Sequence, residues 1–157
     1  VSRILVVVLE GNLGLRISDI LSLRLSDIVK DGDRYRLEIT EQKTKKKRVF
    51  TIPLVIQQYI ENYCLRNGIG KNEKIFDLTE RAISKQLALV CDYLGFEGIG
   101  THSFRKWYAT EIYKNNGYDI TLVQRLLQHS SAAITQRYIG IEPQRIEEAI
   151  EGHAQLL

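Results

Sequence analysis

Thr101-His102-Ser103-Phe104-Arg105, carried on through Leu126-Leu127-Gln128-His129 to Arg137-Tyr138-Ile139, is the stretch on which the reading of this chain turns. It places two histidines, an arginine and a tyrosine on consecutive short helices. Thr101 is a candidate cap for a helix whose first turn holds His102 and Arg105, three apart and so on one face. Phe104, Trp107, Tyr108 and Ile112 form a separate apolar stripe, so the polar pair is expected to face outward and the stripe to face a core. Asn115-Asn116-Gly117 ends that helix, and Asp119 caps the next, whose apolar residues Ile120, Val123, Leu126 and Leu127 lead to Gln128 and His129. Ser131 caps a further helix with Ile134 and Tyr138 four apart, which sets the tyrosine just beyond the second histidine.

Working outward, the 157 residues fit one domain better than two, with 44% hydrophobic and 26% charged residues, as in ordinary globular chains. No segment approaches the roughly 20 apolar residues of a membrane span. The apolar run Ile4 to Leu9 is too short for a secretory leader and runs into Glu10 and a Gly-Asn turn, so it reads as the end of a core helix. The chain contains no methionine, and the expectation is a fragment that begins inside a longer polypeptide. Cys64 and Cys91 lack metal-type spacing and are expected as buried thiols in a reducing compartment. A net charge of +3 permits nucleic-acid binding without requiring it, which makes the densest basic cluster, Lys43 to Arg48, the informative feature.

From the start of the chain, Gly11-Asn12 and Gly14 are expected to break the first helix. Arg16-Ile17-Ser18-Asp19 opens a second, with Ile17, Ile20, Leu21 and Leu23 as its core contacts. Arg16 stands at a glycine-rich turn and a helix start, both suited to an anion; the alternative is a surface arginine paired with Asp19. Tyr35, Leu37 and Ile39 alternate with Arg36, Glu38 and Thr40, and Val49 to Ile52 gives a second strand, so a hairpin with a basic tip is predicted. Pro53 begins a helix with Ile56, Tyr59, Ile60 and Tyr63 at core spacing, ended by Asn67-Gly68. Thr79 caps another, carrying Ile83, Leu87, Val90, Cys91 and Leu94 and closed by Gly95. A last helix after Gly140 and Pro143 carries the stripe Ile146, Ala149 and Ile150, expected to be buried, in cis or on a neighbouring copy.

Taken together, Gly14-Leu15-Arg16-Ile17-Ser18-Asp19, Lys43-Thr44-Lys45, His102-Ser103-Phe104-Arg105 and Leu127-Gln128-His129 with Tyr138 nine residues later resemble the catalytic domain of the tyrosine recombinase (phage integrase) family. The resemblance covers nearly the whole chain. It implies a mainly helical α+β fold with a small antiparallel hairpin or sheet, lying behind an N-terminal core-binding domain. It also implies site-specific cleavage and rejoining of DNA through a 3′-phosphotyrosyl link, with no ATP, cofactor or metal.

In that scheme Tyr138 is the nucleophile, Arg16 and Arg105 clamp the phosphate, and Lys43 is the general acid. His102 assists proton transfer, His129 bonds the phosphate, and Asp19 supports the site. Chemistry agrees, because guanidiniums stay charged and hold two oxygens at once where charge develops in the transition state. Thr44 and its neighbours stand where many relatives have glycine, which leaves Lys45 and Lys46 as alternatives to Lys43; Gln128 likewise stands at a position that is commonly glycine. Lys45, Lys46, Lys47 and Arg48 are the expected DNA contacts. The expected partners are double-stranded DNA and three further protomers, four on two sites, with a monomer as the alternative for the isolated chain, in a cytoplasmic, nucleoid-associated setting without membrane contact. A type IB topoisomerase and a non-cleaving DNA-binding module of the same fold are the alternatives.

Overall fold

The computed structural model describes residues 2–140 and 150–152. Among the described residues, seven α-helices and one small antiparallel sheet follow in the order α1 (Ser2–Leu13), α2 (Ile17–Leu21), β1 (Ile28–Asp31), β2 (Arg34–Thr40), β3 (Lys47–Ile52), α3 (Leu54–Arg66), α4 (Glu80–Leu94), α5 (Ser103–Asn115), α6 (Ile120–Leu127) and α7 (Ala132–Ile139). The expected mainly helical α+β fold is therefore present. Backbone proximity divides the chain into two compact units, residues 1–108 and 109–157.

In the first unit a continuous core joins Leu5, Val6, Leu9 and Leu13 of α1, Ile17 and Ile20 of α2, Leu37 and Ile52 of the sheet, Ile60 of α3, and Phe76. The α1 residues fall at helical spacing on one face, so burial of that face drives its packing. This helix runs through Gly11 and Asn12, where a break was expected, and stops only at Gly14. Gly11 tolerates the helix and lies beside the Trp107 ring. Gly14 has φ +60°, and a Cβ there would sit 2.3 Å from the Tyr108 ring, so at this position both backbone and space demand glycine.

The sheet is a meander of order β1-β2-β3. Its first strand carries too little alternation to be read in advance. The β2–β3 hairpin pairs Tyr35 with Ile52, Leu37 with Phe50 and Ile39 with Arg48. Since directly opposed residues share a face, Arg48 is drawn to the inward side together with the apolar residues. The connecting turn is closed by the Glu41 N–H to the Lys46 carbonyl at 2.9 Å and the Lys45 N–H to the Glu41 carbonyl at 3.0 Å. Lys45 adopts φ 58°, a left-handed conformation that side chains with a Cβ disfavour.

Helix boundaries follow local chemistry. The Thr79 hydroxyl accepts from the Ala82 N–H, Asp119 from the Thr121 and Leu122 N–H groups, and Ser131 from the Ile134 N–H. Each satisfies donors that a helix start leaves open. Three expectations of burial differ: Tyr59 on α3 and Val90 and Leu94 on α4 are exposed, whereas Cys64 and Cys91 are buried as expected. Of the C-terminal stripe, Ile146 and Ala149 lie outside the described residues, and Ile150 is 67% exposed.

The strained turn yields a prediction. Lys45→Gly removes the left-handed penalty at an exposed site, and is expected to raise unfolding stability by roughly 0.5–1 kcal/mol after the extra chain entropy of glycine is subtracted. Urea denaturation of the two proteins checks this; a lower midpoint for the glycine variant would contradict the assigned turn.

Candidate active site

The candidate residues divide between the two units, Arg16, Lys43, His102 and Arg105 in the first and His129 and Tyr138 in the second. In the first, Arg16 is the residue before α2, with extended backbone (φ −70°, ψ 149°). Its guanidinium is held by Glu41, Nη1 donating to Oε2 at 2.8 Å. Asp19 was the other partner considered; its Oδ1 instead accepts the Gln42 N–H at 2.7 Å. Two adjacent residues at the end of β2 are thus tied to two residues of the Arg16–Asp19 segment.

Arg105 lies on α5, and its Nε–H donates to the Gly14 carbonyl at 2.9 Å in a buried bond across 91 positions of sequence. This fixes the second arginine to the carbonyl two residues ahead of the first. The expected orientation of this helix is corrected here: Arg105 is 4% exposed and Trp107 is 58% exposed. The buried residues at positions 105, 109 and 113 define an inward face that contains the arginine. The Gly14 carbonyl gives the buried guanidinium one acceptor, and the flat Trp107 ring is left outward beside Gly11.

His102 lies in the turn just before α5 and is exposed, its carbonyl accepting the Lys106 N–H at 3.1 Å. Thr101 is buried in the same turn. Lys43, Lys45, Lys46 and Lys47 are all exposed on and beside the hairpin turn. Arg48, expected to reach DNA with them, is turned inward at 4% exposure, its Nη1 lying 3.5 Å from Glu41 Oε1 and its guanidinium 4.8 Å from the Phe50 ring centre. Burial lowers the Arg48 pKa from its usual value, with Glu41 opposing.

In the second unit Gln128 ends α6 in the left-handed region, φ 56°, the conformation that explains why glycine suits this position. His129 follows; its Nδ1 shares a hydrogen bond with Thr135 Oγ1 at 2.9 Å. Tyr138, one α7 turn beyond Thr135, meets the imidazole edge-on, with ring centres 5.4 Å apart at 78°. Two successive caps, Asp119 and Ser131, set the helices that bring this imidazole and phenol together.

Three acidic groups surround the arginine frame, and two were not anticipated. Burial alone would raise the Glu41 carboxyl, yet the Thr44 hydroxyl and the Arg16, Arg48 and Arg105 guanidiniums hold it below its usual value. Asp19 is raised, by burial foremost and by Glu41, against the Gln42 N–H bond and the two arginines. Glu10, fully buried on α1, is pushed up to about 8 by burial, Arg105 pulling it down and Glu80 adding to the rise. Periodicity offered a signal for both missed residues. Glu41 continues the inward series Tyr35, Leu37, Ile39, and Glu10 falls between Val6 and Leu13 on the buried face of α1.

The sequence model of the Phage integrase family matches residues 3–145. The chain belongs to the phage integrase family. It is 38% identical over 139 residues to the probable integrase/recombinase YoeC of Bacillus subtilis, covering 83% of this chain and 73% of that protein. It is 29% identical over 157 residues to the tyrosine recombinase XerA of Pyrococcus furiosus, covering 95% of this chain and 53% of that one. Against several such relatives the chain spans only about half of their length. Among solved structures, the site-specific recombinase XerH bound to a palindromic difH substrate, in a post-cleavage complex, shares the fold with a TM-score of 0.75 at 24% identity, over 95% of this chain and 45% of that one.

The buried Glu10 generates a pH prediction for this family member. A carboxyl raised from 4.5 to about 8 on folding binds a proton in the folded state that the unfolded chain has released. Its contribution to stability is therefore complete below pH 4.5 and is lost as pH rises through about 8, amounting to several kcal/mol, on the order of 4–5. Glu10→Gln is expected to gain stability relative to the parent across that interval and to hold a constant advantage above it. Thermal unfolding at pH 5, 7 and 9 checks this, and a pH-independent difference would exclude the buried titration.

Proposed function

We propose that this chain is the catalytic part of a site-specific DNA recombinase or integrase, and that its six reactive side chains act on one phosphodiester. The observation that carries the reading is that the Arg105 guanidinium is tied to the Gly14 carbonyl, two residues before Arg16, whose own guanidinium is held by Glu41. Family membership, and a 38%-identical relative named as a probable integrase/recombinase, support the same assignment.

In the proposed reaction the Tyr138 phenolic oxygen attacks the scissile phosphorus in line. The P–O bond to the 5′ side breaks, and Lys43 gives its proton to the leaving 5′ oxygen, with His102 assisting. A 3′-phosphotyrosyl ester remains, and attack by a 5′ hydroxyl reverses the step, so the bond energy is conserved without ATP. Phosphate oxygens gain charge in the transition state, and preplaced guanidiniums stabilise it there more than in the ground state. His129 hydrogen-bonds the same phosphate, and Asp19 keeps the Arg16 segment tied to the hairpin. Tyrosine ionises near pH 10 in water, so in the proposed step the phenolic proton passes to a base or to water as the Tyr138 oxygen attacks.

Lys45, Lys46 and Lys47 are the proposed phosphate-backbone contacts; such contacts fix register and carry no base information. An N-terminal core-binding domain in the full polypeptide would supply further DNA contacts. Recombination would require four protomers on two sites in the cytoplasm, at the nucleoid, with the C-terminal segment docking in cis or on a neighbour. Among the described residues no helix is long and apolar enough to cross a membrane.

Covalent trapping tests the reading. Incubated with a pool of random-sequence duplexes nicked at varied positions, the parent is expected to form a denaturation-resistant protein–DNA adduct that Tyr138→Phe abolishes. Arg16→Ala and Arg105→Ala should each slow its formation by at least about 100-fold. An adduct that persists in the phenylalanine variant overturns the nucleophile. Adducts without sequence preference, together with relaxation of supercoils, would indicate a topoisomerase, and salt-sensitive binding without any adduct would indicate a non-cleaving module.

A further inference from the structure

Glu41 is the point at which the hairpin turn and the first arginine are joined, and the reaction scheme gives it no role. The residue is fully buried. Its Oε2 accepts from Arg16 Nη1 at 2.8 Å and from Thr44 Oγ1 at 2.7 Å. Through its backbone it closes the turn twice, donating to the Lys46 carbonyl at 2.9 Å and accepting from Lys45 at 3.0 Å. Lys43, the proposed general acid, lies inside that turn, and the neighbouring Gln42 N–H is tied to Asp19 at 2.7 Å.

Two roles are open to a buried carboxylate among arginines, and the distances separate them. A simple counter-charge for the buried Arg48 would favour that guanidinium, which approaches only to 3.5 Å. The short charge-assisted bond goes instead to Arg16. Only one of the five N–H donors of Arg16 is engaged there, and a guanidinium fixed at one nitrogen has the others set in a rigid fork. Such a fork directs its remaining edge while the side chain stays 18% exposed.

We propose that Glu41 is a positioning residue: its carboxylate orients the Arg16 guanidinium for an incoming phosphate and references the Lys43 turn to the same point. Presentation of the arginine and placement of the lysine are then one event, set by one side chain. Thr44 completes the arrangement, since its hydroxyl bonds to the same oxygen that receives Arg16. This inference rests on the recombinase reading above, and two independent readouts keep the two apart.

The first readout uses Glu41→Gln, which keeps length and hydrogen-bonding capacity but removes the charge, with a duplex selected by the parent through covalent trapping. The folded variant is expected to bind that duplex as tightly as the parent or more so, because a negative charge leaves a basic neighbourhood. Its single-turnover cleavage rate should fall by about 100-fold, the cost of a slightly misdirected group. Thr44→Val, which leaves the carboxylate in place, should show the same split at smaller size. Cleavage at the parental rate in both variants, or binding and cleavage lost in parallel with the melting temperature, overturns the proposal.

The second readout needs neither DNA nor the variant. In the 15N-arginine-labelled parent, the Arg16 resonances, identified by their loss in Arg16→Lys, are expected to show hindered guanidinium rotation, with separate Nη1 and Nη2 signals. Free rotation, giving one averaged signal, overturns the proposal even if Glu41→Gln fails to fold. A parent that traps no DNA sinks the recombinase reading instead, and the rotation measurement still decides Glu41.

Discussion

The hydrogen bond from the Arg105 Nε–H to the Gly14 carbonyl is the constraint on which the arrangement of the first unit depends. It requires a buried guanidinium, and therefore a helix α5 that turns its arginine inward. It also requires a backbone carbonyl presented by a residue that can hold φ +60° against the Tyr108 ring, which only glycine does without strain. A buried cation with neutral acceptors alone would be costly. Glu41, whose carboxyl is held below its usual value partly by Arg105, supplies opposing charge.

Around this bond the proposed anion clamp meets a problem that anion-binding catalysts share. Cations must stand ready before the substrate arrives, yet they repel one another and would splay apart if each relied on solvent. Here the counter-charges are internal. Glu41 serves Arg16 and Arg48, and Asp19 fixes the hairpin backbone rather than an arginine, so the sheet and α2 hold each other. In the second unit a neutral device does comparable work: the Thr135 hydroxyl fixes the His129 ring at 2.9 Å, and the same short helix delivers Tyr138 to its edge.

Much of this was legible in the residues themselves. Asp119, Ser131 and Thr79 announce their helices because a short polar side chain before an apolar run has one favourable use. The β2–β3 hairpin follows from strict alternation, and the left-handed positions Lys45 and Gln128 coincide with sites where the resemblance leads one to expect glycine. Other features were hidden for definite reasons. The four-residue β1 gains its identity from pairing with β2 rather than from a pattern of its own. The apolar stripe on α5 misdirected the reading, since Trp107 is hydrophobic yet exposed while Arg105 is charged yet buried. Which of the two goes inside was decided by a carbonyl 91 positions away. Glu41 was passed over and Arg48 was assigned to DNA because a charged residue invites a surface assignment, although strand alternation had already set both on the inner face.

The central claim, that Arg16 and Arg105 form one prebuilt anion clamp, is tested most directly by a crystal structure of the chain soaked in tungstate, a tetrahedral oxyanion visible by its anomalous signal. The account predicts one strong peak within hydrogen-bonding distance of both guanidiniums, with the Arg16–Glu41 and Arg105–Gly14 bonds retained. Peaks confined to the hairpin lysines, or an anion that reaches one arginine only after its anchoring bond has broken, would contradict it.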